Sequence, residues 1–163
     1  MKGVSDMNGV SKLTLTEDVS VITFNKLSAE PSNIAKILNR FSEEGINIDM
    51  ISQTVPNSGE ISLSLTVFSE DLLKALSLCN QLKESVSSLR PLVSSGNCKL
   101  QLYGEEMRSM HGVAAKAIDV IASAGEEIYL ITTSEVDISI LLPRDRVHEA
   151  VSALEKAFEV VCE

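Results

Sequence analysis

The sequence predicts an α+β protein made of two copies of a β-α-β-β-α-β unit. In residues 31–45 and again in residues 111–125, apolar side chains recur at helical spacing, and each stretch ends in glycine. Each helix is followed by two stretches of alternating apolar residues, as expected for neighbouring strands. The two glycines, Gly45 and Gly125, are 80 residues apart, which indicates that one pattern is written twice.

The register of the two copies supports an internal duplication. The same separation of 80 residues aligns Ile48 with Ile128, and it falls to 75 between Leu63 and Ile138. The first copy therefore uses more residues for the turn between its second and third strands. A β-α-β-β-α-β unit folds as an antiparallel four-stranded sheet with two helices on one face, the ferredoxin-like arrangement.

Each element has a local signature in the sequence. Pro31 suits the first turn of a helix, and Pro91 is typical of a strand at a sheet edge. The expected elements of the first copy are strand 19–24, helix 31–45, strands 46–55 and 60–68, helix 69–86 and strand 89–93. Those of the second copy are strand 98–104, helix 111–125, two strands within 126–142, helix 143–158 and a last strand over 159–162.

These elements divide the chain into three segments. We expect an N-terminal arm over residues 1–17, which are polar and mixed, a first domain over 18–95 and a second over 96–163. One face of each predicted sheet has no helices. The two copies, or two chains, are therefore expected to pair.

Composition and charge restrict the possible partners. The chain has 163 residues, of which 44% are hydrophobic and 23% charged, so it can bury a core. A net charge of −9 repels nucleic acid and anionic membrane surfaces. No apolar run approaches the roughly 20 residues that span a bilayer, and the N-terminus lacks the apolar centre of a signal peptide. The sequence predicts a cytoplasmic protein with no nucleic-acid or membrane partner.

The cysteines and histidines give no metal, cofactor or nucleophile pattern. Cys79, Cys98 and Cys162 are far apart in the chain, and neither His111 nor His148 has a cysteine or carboxylate at ligand spacing. Residues 103–112 contain two glutamates, an arginine and a histidine that could perform acid–base chemistry. A solvated loop before a helix is the preferred interpretation, so we predict no catalytic residues, no metal and no cofactor.

The corner within residues 126–142 is unusual, because the two expected strands are joined by Thr133, Ser134 and Glu135. Two-residue hairpin turns normally use glycine or asparagine. The free N–H groups at the start of the helix after Gly112 suit a carboxylate, and a carboxylate side chain such as Glu135 suits an ammonium. Together they could hold a free amino acid, although a polar corner without a ligand is the alternative.

Several segments resemble a known family. Residues 46–53, 104–142 and 148–158 are similar to the regulatory region of aspartate kinase, a tandem of ACT domains, and the resemblance covers residues 8–163. The most specific segment is "ITTSEVDISIL", found together with "MRSMHGVAAK". The resemblance implies a regulatory module without the kinase catalytic domain. In the family, one ACT domain is inserted within the other, which allows the final strand to return to the first copy.

The resemblance also implies a ligand and partners. The family binds lysine or threonine as feedback inhibitors at interfaces between ACT domains, so we expect an amino acid effector, a homodimer through the ACT domains and a kinase catalytic subunit. The effector-binding positions that the family pattern implies are Asn47, Ile48, Asp49, Gln53, Met107, Gly112, Val113, Ala114, Ile128, Thr133, Ser134 and Glu135.

The sequence departs from the family pattern at four of the positions around these sites. Ala29 and Ser32 stand where an aspartate and a glycine are common in the first copy, and Glu127 and Tyr129 replace an asparagine and an acid in the second. These departures bear on which amino acid binds and on whether both pockets work.

Three functions therefore compete. The first is an amino-acid-sensing regulatory module of the aspartate kinase type. The second is a module of the same family that has no ligand and serves for dimerisation or subunit docking. The third, an unrelated ferredoxin-like enzyme or RNA binder, is disfavoured because the chain is acidic and poor in aromatic residues.

Overall fold

The structure is a computed structural model of the chain, and it describes residues 8–86 and 89–163. The chain divides into two compact units. The continuous unit is Asp18–Gly96, and the discontinuous unit consists of the described part of Met1–Glu17 together with Asn97–Glu163. In sequence, one unit is thus inserted within the other.

The continuous unit contains two helices and an antiparallel sheet. Its elements are the part of β1 (Lys12–Ser28) from residue 18 onward, α1 (Pro31–Glu43), β2 (Ile51–Gln53), β3 (Glu60–Phe68), α2 (Leu72–Ser85) and the first residues of β4 (Pro91–Tyr103). Strand β3 pairs with β1 on one side and β2 on the other. The core lies between sheet and helices and includes Phe24, Ile37, Phe41 and Leu65.

The discontinuous unit repeats this plan. It contains the end of β4, α3 (Val113–Ser123), β5 (Leu130–Thr133), β6 (Asp137–Pro143) and α4 (Val147–Phe158). Strand β6 pairs antiparallel with both β4 and β5. Its separate core includes Leu100, Ile121, Ile140, Leu154 and Phe158. The predicted α+β class and the repeated β-α-β-β-α-β order are confirmed.

The expected N-terminal arm differs from the structure over residues 12–17, which form the beginning of β1. The amide of Ser11 donates to the carbonyl of Tyr103 at 2.7 Å, and Leu13 forms a parallel bridge with Cys162. These partners are distant in sequence, so local polarity could not reveal them. Residues 1–7 of the expected arm lie outside the described residues.

The same bridge shows where the last residues lie. Residues 159–162 make one isolated bridge, to Leu13, which belongs to the discontinuous unit. The predicted strands 89–93 and 98–104 are also one continuous strand, β4.

The strand predicted over 46–55 is reduced to Ile51–Gln53. The amide of Met50 donates to the buried Thr66 hydroxyl at 2.9 Å, and the amide of Asp49 donates to the Thr66 carbonyl at 3.1 Å. These bonds satisfy the backbone outside a regular ladder, so an apolar alternating pattern does not become a strand there. None of the helices in the described part of the chain has the length and apolar character of a membrane-crossing segment.

Candidate functional site

A cavity of about 340 Å³ lies in the discontinuous unit, beside the start of α3 and the corner between β5 and β6. A short helical turn, Glu105–Arg108, forms a third wall. The lining residues are Met107, Arg108, Met110, Gly112, Val113, Ala114, Thr133, Ser134, Glu135 and Ile138. The volume is that of a small-molecule site.

The start of α3 gives the cavity hydrogen-bond donors. Gly112 is the residue before the helix and has a φ of 85°, a left-handed conformation that favours glycine. No side chain caps this end, and the first helical bond runs from the amide of Lys116 to the carbonyl of Gly112 at 2.9 Å. The preceding amides of the first turn have no intrahelical acceptor, so this end can bind a carboxylate.

The β5–β6 corner is closed by its own serine. The amide of Ser134 donates to the carbonyl of Asp137 at 2.8 Å, and the amide of Val136 donates to the Ser134 hydroxyl at 3.3 Å. Neither Glu135 nor Val136 has a positive φ. The corner therefore has no position that requires glycine, and the Ser134 hydroxyl stabilises it by accepting the Val136 amide. The position of Ser134 has a structural reason besides any contact with a ligand.

Glu135 projects from this corner to the mouth of the cavity, with 76% of its side chain exposed. It forms an ion pair with Arg108, which also contacts Glu105, Nε to Oε2, at 3.2 Å. The Tyr103 hydroxyl donates to Oε1 of Glu105 at 2.6 Å. The chain of contacts from Tyr103 through Glu105 and Arg108 to Glu135 joins the end of β4 to the corner.

The same contacts shift two proton equilibria. The hydrogen bond from Tyr103, assisted by Arg108, holds the pKa of Glu105 below its ordinary value. Hydrogen bonding to Glu105 raises the pKa of the Tyr103 phenol. A lowered carboxyl pKa is the opposite of what a general acid requires at neutral pH, and Glu105 serves here as an ion-pair partner.

The structure brings together seven of the twelve predicted effector-binding residues. Met107, Gly112, Val113, Ala114, Thr133, Ser134 and Glu135 all line the cavity. Ile128 instead packs against the core of the discontinuous unit. Asn47 and Ile48 line a separate cavity of about 350 Å³ in the continuous unit, beside the end of α1.

The two remaining predicted residues lie on or beside β2. Gln53 is in β2 and pairs with Leu63, while Asp49 precedes the strand. Ile46, Asn47 and Ile48 contact the cavity at the end of α1, whereas Gln53 does not line it. The predicted set is thus split between the two units, with most of its members at one cavity.

The sequence did not identify Arg108, Met110 and Ile138 as lining residues. Arg108 lies in the segment for which the sequence favours a solvated loop, and 55% of its side chain is exposed. Its role depends on Glu135, which is 27 residues away in sequence. Ile138 pairs with both Leu102 and Thr133, so its position beside the corner follows from strand register. Within the described ranges, no cluster of three or more candidate metal ligands is found.

A family model for the ACT domain matches the chain twice, over residues 25–82 and 100–158. The chain belongs to the ACT domain family. The two matches fall on the two units, so the predicted tandem of ACT domains is confirmed.

The chain is similar over both ACT domains to aspartate kinases and to a regulatory subunit of aspartate kinase. The chain is 28% identical over 151 residues to aspartokinase from Pseudomonas aeruginosa, covering 93% of the chain and 37% of that protein. The ligand-free regulatory subunit of aspartate kinase from Thermus thermophilus superposes with a TM-score of 0.85 and 28% identity, over 92% of the chain and 99% of that structure. A chain in a structure of aspartokinase alpha and beta subunits superposes with a TM-score of 0.85 and 28% identity. This match covers 93% of the chain and 99% of that structure's chain.

These matches identify the ACT pair as a regulatory module of the aspartate kinase type. The chain spans about 37% of the length of the curated relatives it matches. It corresponds almost fully to the separate regulatory subunit, and the catalytic part of the longer proteins lies outside the match. The predicted family is confirmed, and the chain corresponds to the regulatory part of these proteins.

Proposed function

We propose that the discontinuous ACT unit binds a free amino acid, lysine or threonine, as a feedback signal of the aspartate pathway. The observation that carries the proposal is the pairing of opposite binding groups across one cavity. The uncapped start of α3 suits the ligand carboxylate, and Glu135 on the facing corner suits its ammonium group. The apolar side chains of Met107, Met110 and Ile138 leave a surface for the ligand side chain.

The proposal includes a catalytic partner. A regulatory module acts only if its two states differ in their effect on an active site. We propose that effector binding changes how this chain associates with an aspartate kinase catalytic subunit, as the family resemblance implies. The partner follows from that resemblance and not from a surface of this chain.

A homodimer through the ACT domains is part of the same proposal. The edge strands β2 and β5 expose Ile51 and Ile131, at 49% and 37%. Apolar residues on an unpaired strand edge favour association with a second copy. Sedimentation velocity of the purified chain tests this part, because Ile51→Lys and Ile131→Lys should shift a dimer toward monomer.

The ligand-free docking module is the second candidate function, and one observation favours it. The carboxylate of Glu135 forms an ion pair with Arg108, so the acidic group of the cavity already has a partner within the chain. Such a module would dimerise or dock without responding to amino acids.

Thermal unfolding against a panel of the twenty amino acids separates the two functions. A ligand that binds only the folded chain at about 100 times its Kd adds roughly 2.7 kcal/mol of stability. The sensor predicts a selective rise in Tm with lysine or threonine that Glu135→Gln reduces. The matched control is Glu43→Gln, which removes an exposed carboxylate on α1 and should leave the rise in Tm unchanged. Equal curves across the whole panel would favour the docking module.

A further inference from the structure

Arg108 places a positive charge between two carboxylates at the mouth of the cavity. Its Nε lies 3.2 Å from Oε2 of Glu105, and a terminal guanidinium nitrogen pairs with Oε2 of Glu135. The two carboxylates come from different elements, the turn after β4 and the β5–β6 corner. The guanidinium therefore occupies a cation subsite built by the surrounding chain.

Arg108 has one local partner, Glu105, and one partner that is distant in sequence, Glu135. Glu105 is only three residues away on the same turn and is itself held by the Tyr103 hydroxyl at 2.6 Å. Glu135 lies across the mouth, 27 residues away in sequence. If Arg108 leaves Glu135, Glu105 remains beside it as an ion-pair partner.

Separating Arg108 from Glu135 costs little free energy. Both members of the Arg108–Glu135 pair are more than half exposed, at 55% and 76%. Exposed ion pairs are weak because water screens them and two long side chains must be ordered. An incoming ammonium group can take the place of the guanidinium on Glu135.

We infer that Arg108 is a tethered competitor for the cation subsite on Glu135 and thereby sets the affinity of the cavity for ammonium-bearing ligands. The inference rests on the proposed function, since it concerns the same cavity. In the empty state the guanidinium fills the subsite. In the bound state the ligand ammonium contacts Glu135, and Arg108 retains Glu105.

Calorimetric titration of L-lysine and of L-threonine tests this inference on four proteins. These are the unmodified chain, Arg108→Met, Glu135→Gln and the double variant. Methionine keeps the length and apolar stem of arginine but removes the charge. Loss of the competitor should tighten binding by roughly 1.5- to 5-fold, the effect of removing one exposed ion pair. The gain should vanish in the Glu135→Gln background, where the subsite has lost its charge.

Arg40→Met is the matched control, since Arg40 makes an exposed ion pair with Glu43 at 2.9 Å on α1 and is not among the residues that line this cavity. It should leave both affinities unchanged. If only Arg108→Met binds the amino acid and the unmodified chain does not, the result would also support the competition between Arg108 and the ligand for Glu135.

Two results would overturn the inference. Weaker or unchanged binding by Arg108→Met, with binding by the unmodified chain intact, would contradict the competitor and leave the proposed function standing. An equal gain in both backgrounds would show that Arg108 acts without Glu135. Absence of binding to all four proteins would overturn the inference and the proposed function together.

Discussion

The backbone of Gly9 occupies the space that a side chain on Gly104 would need. A Cβ atom on Gly104 would lie 1.9 Å from the carbonyl oxygen of Gly9 and 3.1 Å from Cα of Val10. The N-terminal segment thus passes directly over the end of β4. Gly9 itself leaves room for Val113 at the start of α3, because a Cβ at residue 9 would lie 2.7 Å from a methyl group of Val113.

Replacing Gly104 by alanine should destabilise the chain by roughly 2–4 kcal/mol, because backbone atoms cannot yield as a flexible side chain can. Chemical denaturation measures the change in the free energy of unfolding. Gly112→Ala is a suitable comparison, since residue 112 has a positive φ but open space around its Cβ. It should cost only about 1–2 kcal/mol. Equal costs would contradict the close approach.

The buried hydroxyl of Thr66 should contribute more to the free energy of unfolding than the exposed hydroxyl of Thr54, which accepts the same kind of hydrogen bond. Thr66 and Thr54 each accept a backbone amide hydrogen bond at 2.9 Å, from Met50 in the buried case and from Ser62 in the exposed case. Thr66→Val should cost about 1–3 kcal/mol, because it leaves a buried amide without an acceptor. Water can replace the hydroxyl lost in Thr54→Val, so its denaturation midpoint should change little. A larger effect at residue 54 would be inconsistent with the structure.

The thiol of Cys79 should make stability depend on alkaline pH. Burial raises its pKa from 9.0 to about 11, so the folded chain holds this proton more tightly than the unfolded chain does. The associated stability is present in full below pH 9 and is lost as pH rises toward 11. The expected slope is up to about 1.4 kcal/mol per pH unit.

Denaturation series between pH 9 and pH 11 measure this slope. In Cys79→Ala the slope should be shallower, and below pH 9 the variant should be the less stable protein because it leaves a small cavity. Parallel pH profiles for the two proteins would show that the thiol is not buried as described.

The Tyr103–Glu105 hydrogen bond should be detectable in a carboxyl titration. Removal of the hydroxyl in Tyr103→Phe should bring the pKa of Glu105 up toward its ordinary value, because Tyr103 is the main cause of its depression. NMR of carbon-13-labelled glutamate side chains measures the change. Since the folded pKa is lowered, the small associated stability is present at neutral pH and lost in acid. Tyr129→Phe is the control, and an unchanged Glu105 titration in both variants would refute the contact.

The sequence predicted the regular elements well where local patterns decide the structure. Strand β3 has the predicted bounds, 60–68, because alternation continues without interruption. The helix predicted over 31–45 begins at Pro31 and ends at Glu43, where local capping signals lie. The duplicated order of elements likewise follows from periodicity alone.

The failures all involve partners that are distant in the chain. The local polarity of residues 12–17 predicts an arm, because their partners in the sheet, such as Cys162, are far away in sequence. Residues 46–50 alternate like a strand but are bonded through the side chain of Thr66. In the same way, the local sequence around Arg108 predicts only a loop, because its partner Glu135 becomes its neighbour only after folding.

Methionine methyl NMR during an amino acid titration tests the binding site most directly. Met107 and Met110 line the cavity, whereas Met50 is buried in the continuous unit and is an internal control. Titration with lysine or threonine should shift the methyl signals of Met107 and Met110 saturably, leave that of Met50 in place, and have a weaker effect in Glu135→Gln. Saturable binding without a shift at Met107 or Met110 would contradict the proposed site.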